Sequence, residues 1–206
     1  MAIIKGFGPA DSTADTAGTG GITYIERRAS NKNDERNIYV IKGHLLPPMS
    51  KRKNFQGKSR YFQRGELGLS DDWELAHLWP PRFGDEAAAG IMWAPQEMNQ
   101  DFQNHKVEPW LQGLRSSSHS AAIEITAIAA SWCPKFLAAK GNPDYKGAEF
   151  LKWVCYEVSN CPTGTPSPAG GGPLLGSSIH LQLEPLQPGH VPNVVNVEVG
   201  TLLNWN

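Results

Sequence analysis

Residues 122–130 read Ala-Ile-Glu-Ile-Thr-Ala-Ile-Ala-Ala. Isoleucines alternate with polar or small residues, the spacing of a strand that turns one face to a core. Three later stretches share this character: Phe150–Val158, Ser178–Leu183 and Val194–Val199. Gly/Pro-rich turns at Cys161–Gly172 and Pro185–Pro192 separate the last three, as hairpin links require. The C-terminal half is therefore expected to form an antiparallel sheet. Two shorter strand-like runs, Ile22–Glu26 and Asn37–Ile41, lie upstream with a polar segment between them.

Between these regions the pattern becomes helical and irregular. Ser70-Asp71-Asp72-Trp73-Glu74 has the capping and acidic residues of a short helix start. Pro80-Pro81 ends anything regular. Pro95 opens a second helix with Met98 and Phe102 on one face, and Pro109 breaks or restarts it before Trp110, Leu111 and Leu114. The fold class read from this order is α+β. Gly8–Gly21 is a run of small, turn-forming residues, so residues 1–21 are expected as a flexible arm or linker and residues 22–206 as one domain.

Composition narrows the function. The 206 residues are 40% apolar and 19% charged, as in a core-forming globular protein, and the 37 Gly and Pro are scattered (21 Gly, 16 Pro). No apolar run approaches the roughly 20 residues of a membrane helix, and no Sec-type leader is visible, so no membrane partner is expected. Cys133, Cys155 and Cys161 lack Cys-x-x-Cys spacing, which disfavours a zinc ribbon or disulfide scaffold. Cys155 and Cys161 could pair only in an oxidising compartment. Walker, dinucleotide, zincin and serine-hydrolase motifs are absent from the sequence.

The net charge of −1 hides an asymmetry. Lys42–Gly65 holds seven cations and no acid: Lys42, Lys51, Arg52, Lys53, Lys58, Arg60 and Arg64. Glu66–Glu108 holds nine acids against Arg82 and Lys106. A basic block beside an acidic one suits a polyanion site next to a metal or acid/base centre; a solvated loop is the plainer alternative. The residues able to carry such chemistry cluster from His77 to Glu108. Histidine can serve as a general base near neutral pH. An amide or carboxylate oxygen can hold Mg²⁺, and arginine can neutralise charge developing on a phosphate.

His77-Leu78, Arg82-Phe83-Gly84, Ala94-Pro95-Gln96, Asn99-Gln100 and Glu108 together resemble the core of non-specific DNA/RNA endonucleases of the His-Me finger class. The wider stretch from Arg64-Gly65-Glu66 through Gly84-Asp85-Glu86 to Gly90 is similar to C-terminal toxin domains of bacterial polymorphic toxin systems. The resemblance spans roughly Gly65–Leu114. It implies a His-Me finger-like hairpin and helix ahead of the C-terminal antiparallel sheet. It also implies that His77 activates water and that a helical asparagine binds a divalent cation such as Mg²⁺. Asn99 carries the family's Asn-Gln step, and Asn104 is the alternative, four residues before Glu108 on a shared α-helical face. On an unbroken α-helix Glu108 falls opposite Asn99. The family's Asp-Arg-Gly before the histidine is replaced by Glu74-Leu75-Ala76, so Arg82 is the candidate arginine. His44, in Gly43-His44-Leu45, is the rival base.

The expected function is a metal-dependent, non-specific nuclease acting as an interbacterial toxin. It would be delivered to a target-cell cytoplasm and neutralised by a cognate immunity protein. Lys51, Arg52, Lys53, Lys58, Arg60 and Arg64 would grip the nucleic-acid backbone. Two alternatives stay open: a metal-independent ribonuclease toxin using His44 and His77, and a non-enzymatic β-rich binding module. Trp73, Trp79, Trp93 and Trp110 are read as core.

Overall fold

The computed structural model describes residues 3–7, 21–32, 35–51, 64–117, 123–132, 148–159, 178–183 and 194–200. Nine strands lie among them: β1 (Ile3–Lys5), β2 (Ile22–Ala29), β3 (Asn37–His44), β4 (Trp73–Ala76), β5 (Met92–Pro95), β6 (Glu124–Trp132), β7 (Phe150–Ser159), β8 (Ser178–Leu183) and β9 (Val194–Gly200). All belong to one sheet, ordered β1-β2-β3-β6-β7-β5-β4, with β8 also on β7 and β9 on β8. β5 meets the first residue of β7 (Trp93 opposite Phe150), whereas β8 pairs with Trp153–Glu157 further along. The sheet therefore forks along one edge of β7.

This overturns the expected α+β arrangement of a His-Me finger-like hairpin and helix followed by a separate C-terminal antiparallel sheet. The described residues are mostly β, and among them π- and α-helix are confined to residues 97–117. The N-terminal strands do not stand apart: β3 pairs with β6 from Ile38–Ala130 to His44–Glu124. Nor is the sheet purely antiparallel, since β1–β2 and β5–β7 run parallel. Contacts across such long sequence separations leave no local signature, which explains why periodicity found strands but not their partners.

Local expectations shift in the same way. Ser70 and Asp72 do not cap a helix. The Ser70 carbonyl closes a turn onto the Trp73 N–H, and Trp73–Ala76 pairs antiparallel with Met92–Pro95. Downstream, Glu97–Val107 is a π-helix that passes into an α-helix, α1 (Glu108–Ser117). Pro109 does not break it, because proline is tolerated in the first turn of α1.

The main core lies between one sheet face and a layer made of the 78–94 segment and the helices. Ile25, Ile41, Ile125, Ala127, Val154 and Tyr156 meet Trp79, Phe83, Met98, Val107, Leu111 and Leu114 there. Phe83 makes edge-to-face contacts with Trp79 (5.4 Å) and Tyr156 (5.8 Å), the favoured aromatic geometry. Trp73 and Trp93 pack with Phe150 in a smaller cluster. The core reading thus holds for Trp73, Trp79 and Trp93, while Trp110 is only partly buried against the main core. Gly8–Gly20, Cys133 and Cys161 lie outside the described residues; Cys155 is buried on β7.

Candidate functional site

His77 is the first residue after β4, where the chain leaves the sheet for the segment that returns as β5. That segment is held close to the core. Pro81–Phe83 forms one 3-10 turn, ended by Gly84 in the left-handed region (φ 89°). Leu46 and Met49 donate backbone N–H groups to the carbonyls of Phe83 and Pro81. Gly84 abuts Leu46 so closely that a Cβ there would lie 2.2 Å from the Leu46 Cβ, so only glycine fits.

Beyond Gly84 the chain bends, Asp85 Oδ1 accepts the Glu86 N–H (2.8 Å), and both acidic side chains turn inward. Glu86 Oε1 lies 3.0 Å from His77 Nε2. The Glu86 side chain is 1% exposed and that of His77 15%. A carboxylate this deep is stable only with a partner, and the pairing fixes the orientation of the imidazole ring. Asp85 and Glu86 thus lie in a bend, outside any helix.

A second set of polar groups runs along the helix. Glu74 Oε2 accepts Asn99 Nδ2 (2.5 Å) and Gln100 Nε2 (2.6 Å), and Gln100 Oε1 accepts Asn104 Nδ2 (2.9 Å). Arg82 Nη1 donates to the Asn104 carbonyl (2.7 Å), and Arg82 Nε lies 3.4 Å from Glu108 Oε2. The structure thus brings Arg82, Asn99, Asn104 and Glu108 into one chain of contacts that starts at Glu74.

Helix geometry explains why Asn99 and Glu108 both belong to it. The Glu108 N–H reaches back five residues to the Gln103 carbonyl, the π-helical spacing. With between four and five residues per turn, nine residues make about two turns. The side of the helix that carries Asn99 therefore returns at Glu108, instead of the opposite side as in an α-helix. Proline supplies the next step. The N–H at position 109 would continue the five-residue spacing to the Asn104 carbonyl, but Pro109 has none, and Arg82 takes that carbonyl instead.

Gln103 and Tyr156 complete the interior. Gln103 Nε2 donates to the Tyr156 hydroxyl (2.7 Å), and both side chains are buried. Burial pushes the Tyr156 phenol well above its ordinary value and the Glu108 charge adds to this, while the Gln103 bond opposes it. Tyr156 is thus a neutral hydroxyl. Gln103 and His77 line the same narrow crevice with Leu78, Gly90, Met92 and Val154.

The remaining candidates sit elsewhere. His44 ends β3 beside its register partner Glu124, with Nδ1 4.0 Å from Oε1. His44 and His77 each face a carboxylate of their own. Arg64 bonds the Asp71 side chain (2.8 Å) and the Asp71 and Trp73 carbonyls, bracing the entry to β4. Lys51 is exposed, and Arg52, Lys53, Lys58 and Arg60 lie outside the described residues.

Sequence reasoning missed Glu86, Glu74 and Gln103 as site residues. Glu86 had a signal in Gly84, since a left-handed glycine turns the following residues back onto the core. Glu74 and Gln103 had none, because both act through the wide helix.

Residues 70–163 match the model of the family Bacterial toxin 4 (Ntox4). The match covers somewhat less than half of the chain, from the turn before β4 to just past β7, and includes every residue of the His77 and Glu74 clusters. It supports a bacterial toxin domain. No curated protein and no solved structure matches the chain. Among the described residues no helix is long and apolar enough to cross a membrane.

Proposed function

We propose that the domain is a nuclease toxin that hydrolyses phosphodiester bonds with His77 as general base. The observation that carries this reading is the 3.0 Å contact between His77 and the buried Glu86, inside the stretch that matches a bacterial toxin family. Held in place by Glu86, the His77 imidazole takes a proton from water as the water oxygen attacks phosphorus. The nearby carboxylate offsets the imidazolium charge that results. The P–O bond to the leaving oxygen then breaks.

Arg82 is the group that meets the phosphate. Its side chain is 48% exposed, and a guanidinium carries five N–H donors, so anchoring to Glu108 and Asn104 leaves donors for phosphate oxygens. Glu108 and the Asn104 carbonyl hold it in place, and charge stabilisation by such a preset donor is a large catalytic contribution.

The donor set also fits a single hard cation. Glu74 holds the Asn99 amide nitrogen, which leaves the amide oxygen as the metal donor, with Asn104 the alternative. Among the described residues no three His, Cys, Asp or Glu side chains group together, so water and substrate phosphate would complete the coordination, as Mg²⁺ commonly allows. A bound Mg²⁺ supplies charge neutralisation at the phosphate. Delivery to a target-cell cytoplasm and a protective immunity protein are the setting that a toxin of this chemistry calls for.

The test is cleavage of plasmid DNA and total RNA by the purified protein and by His77→Ala, each with Mg²⁺ and with EDTA. Cleavage by wild type that disappears in the variant and in EDTA is the expected result, and the substrate cut identifies DNA or RNA. Cleavage that survives EDTA removes the metal. No cleavage of either substrate overturns the nuclease reading.

A further inference from the structure

The residues that the π-helix buries follow its own repeat. Met98, Gln103 and Val107 are 0%, 3% and 2% exposed, in steps of five and then four, and Leu111 and Leu114 continue the stripe on α1. Four of these five are apolar. The exception, Gln103, lies in the middle of the wide segment.

A buried carboxamide is costly unless bonded. Gln103 satisfies one end through Tyr156 (2.7 Å), while its Oε1 has no partner among the described residues. An apolar side chain would cost less here, so the choice of glutamine is not explained by stability. What a hydrogen bond adds is direction. Apolar contacts tolerate rotation of a helix about its axis, whereas the Gln103–Tyr156 bond exists at one rotation only.

We propose that Gln103, through Tyr156, is a positioning residue that locks the π-helical register and so holds Asn99, Asn104 and Glu108 on the side that faces Glu74 and Arg82. Gln103 stands four residues after Asn99 and five before Glu108, where a rotational lock controls both ends. Relaxation to α-helical spacing would turn the nine-residue step from Asn99 to Glu108 through about two and a half turns instead of two. That separates the two and draws the Asn104 carbonyl away from Arg82. Gln103 also borders the crevice of His77, so loss of register disturbs the packing beneath the base. The role of the pair in catalysis rests on the nuclease reading above; its role in setting the register does not.

The experiment compares Gln103→Met, Tyr156→Phe and the double variant in the full chain. Each single change strands one buried polar partner and lowers the urea midpoint. The double change removes both and returns the midpoint to the wild-type value or above it. Plasmid or RNA cleavage does not follow stability: in the double variant kcat stays down by roughly 10- to 100-fold, as for small displacements of catalytic groups, while KM is unchanged. Recovery of kcat together with stability overturns the proposal.

A second arm reads growth arrest on expression in a bacterial cytoplasm, which assumes no reaction class. A folded double variant that no longer arrests growth supports the lock, and one that arrests it as wild type does overturns it. Absence of cleavage by wild type counts against the nuclease reading alone, and the growth arm then decides the role of Gln103.

Discussion

At the scale of single residues, the proposed mechanism divides the work of a base and its support between His77 and Glu86. The Glu86 side chain lies directly on the histidine, and a charge that orients and compensates an imidazolium cannot be replaced by a neutral amide of the same shape. Glu86→Gln is expected to lower kcat by about 10²-fold or more with little change in KM. Single-turnover cleavage at saturating substrate checks this, and wild-type rates would remove Glu86 from the mechanism. The sequence offered His77 and Arg82 as candidates because histidine and arginine advertise their chemistry. Glu86 was not legible as a partner: it lies nine positions after His77, outside any repeating element, and the left-handed turn at Gly84 brings it back.

At the scale of elements, the wide helix decides which side chains can cooperate. A reading at α-helical spacing sets Asn99 against Glu108 and pairs Met98 with Phe102. The π spacing gathers Asn99 and Glu108 instead and buries Gln103 between Met98 and Val107. Phe102 is left partly buried, with the Lys106 ammonium 4.3 Å from its ring centre. No sequence periodicity announces a π segment of this length, since such helices are rare and arise from packing. Pro109 is the one local sign, and its effect can be tested. Pro109→Ala restores an N–H that competes with Arg82 for the Asn104 carbonyl. The expected outcome is a kcat lowered several-fold at little-changed KM, with a urea midpoint equal to or above that of wild type. An unchanged kcat would show that Arg82 does not depend on that carbonyl.

At the scale of the whole molecule, one forked sheet ties the site to the rest of the chain. The runs that became β6 to β9 were visible from their alternation, whereas the joining of β3 to β6 and of β5 to β7 depends on contacts between distant residues. Glu35 is one of the ties. Its carboxylate accepts Trp153 Nε1 (3.0 Å) and Ser30 Oγ (2.7 Å), with Lys32 and Lys152 within 3.7 Å. Burial by itself would raise its pKa, but the two hydrogen bonds and the lysine charges outweigh that and hold the carboxyl below its ordinary value. A lowered folded pKa gives stability that is present above the unfolded value of about 4.3 and lost as pH falls through the folded one. The urea midpoint of wild type should therefore exceed that of Glu35→Gln at pH 7, with the gap closing below about pH 4. A gap that stays constant with pH would contradict this account.

The central claim, that a toxin domain cuts nucleic acid with His77 as base, is tested most directly by chemical rescue. His77→Ala should cleave at least about 100-fold more slowly than wild type, and added imidazole should restore part of the lost rate, with pH dependence that follows the neutral imidazole. Cleavage by His77→Ala at the wild-type rate, with or without imidazole, would contradict it.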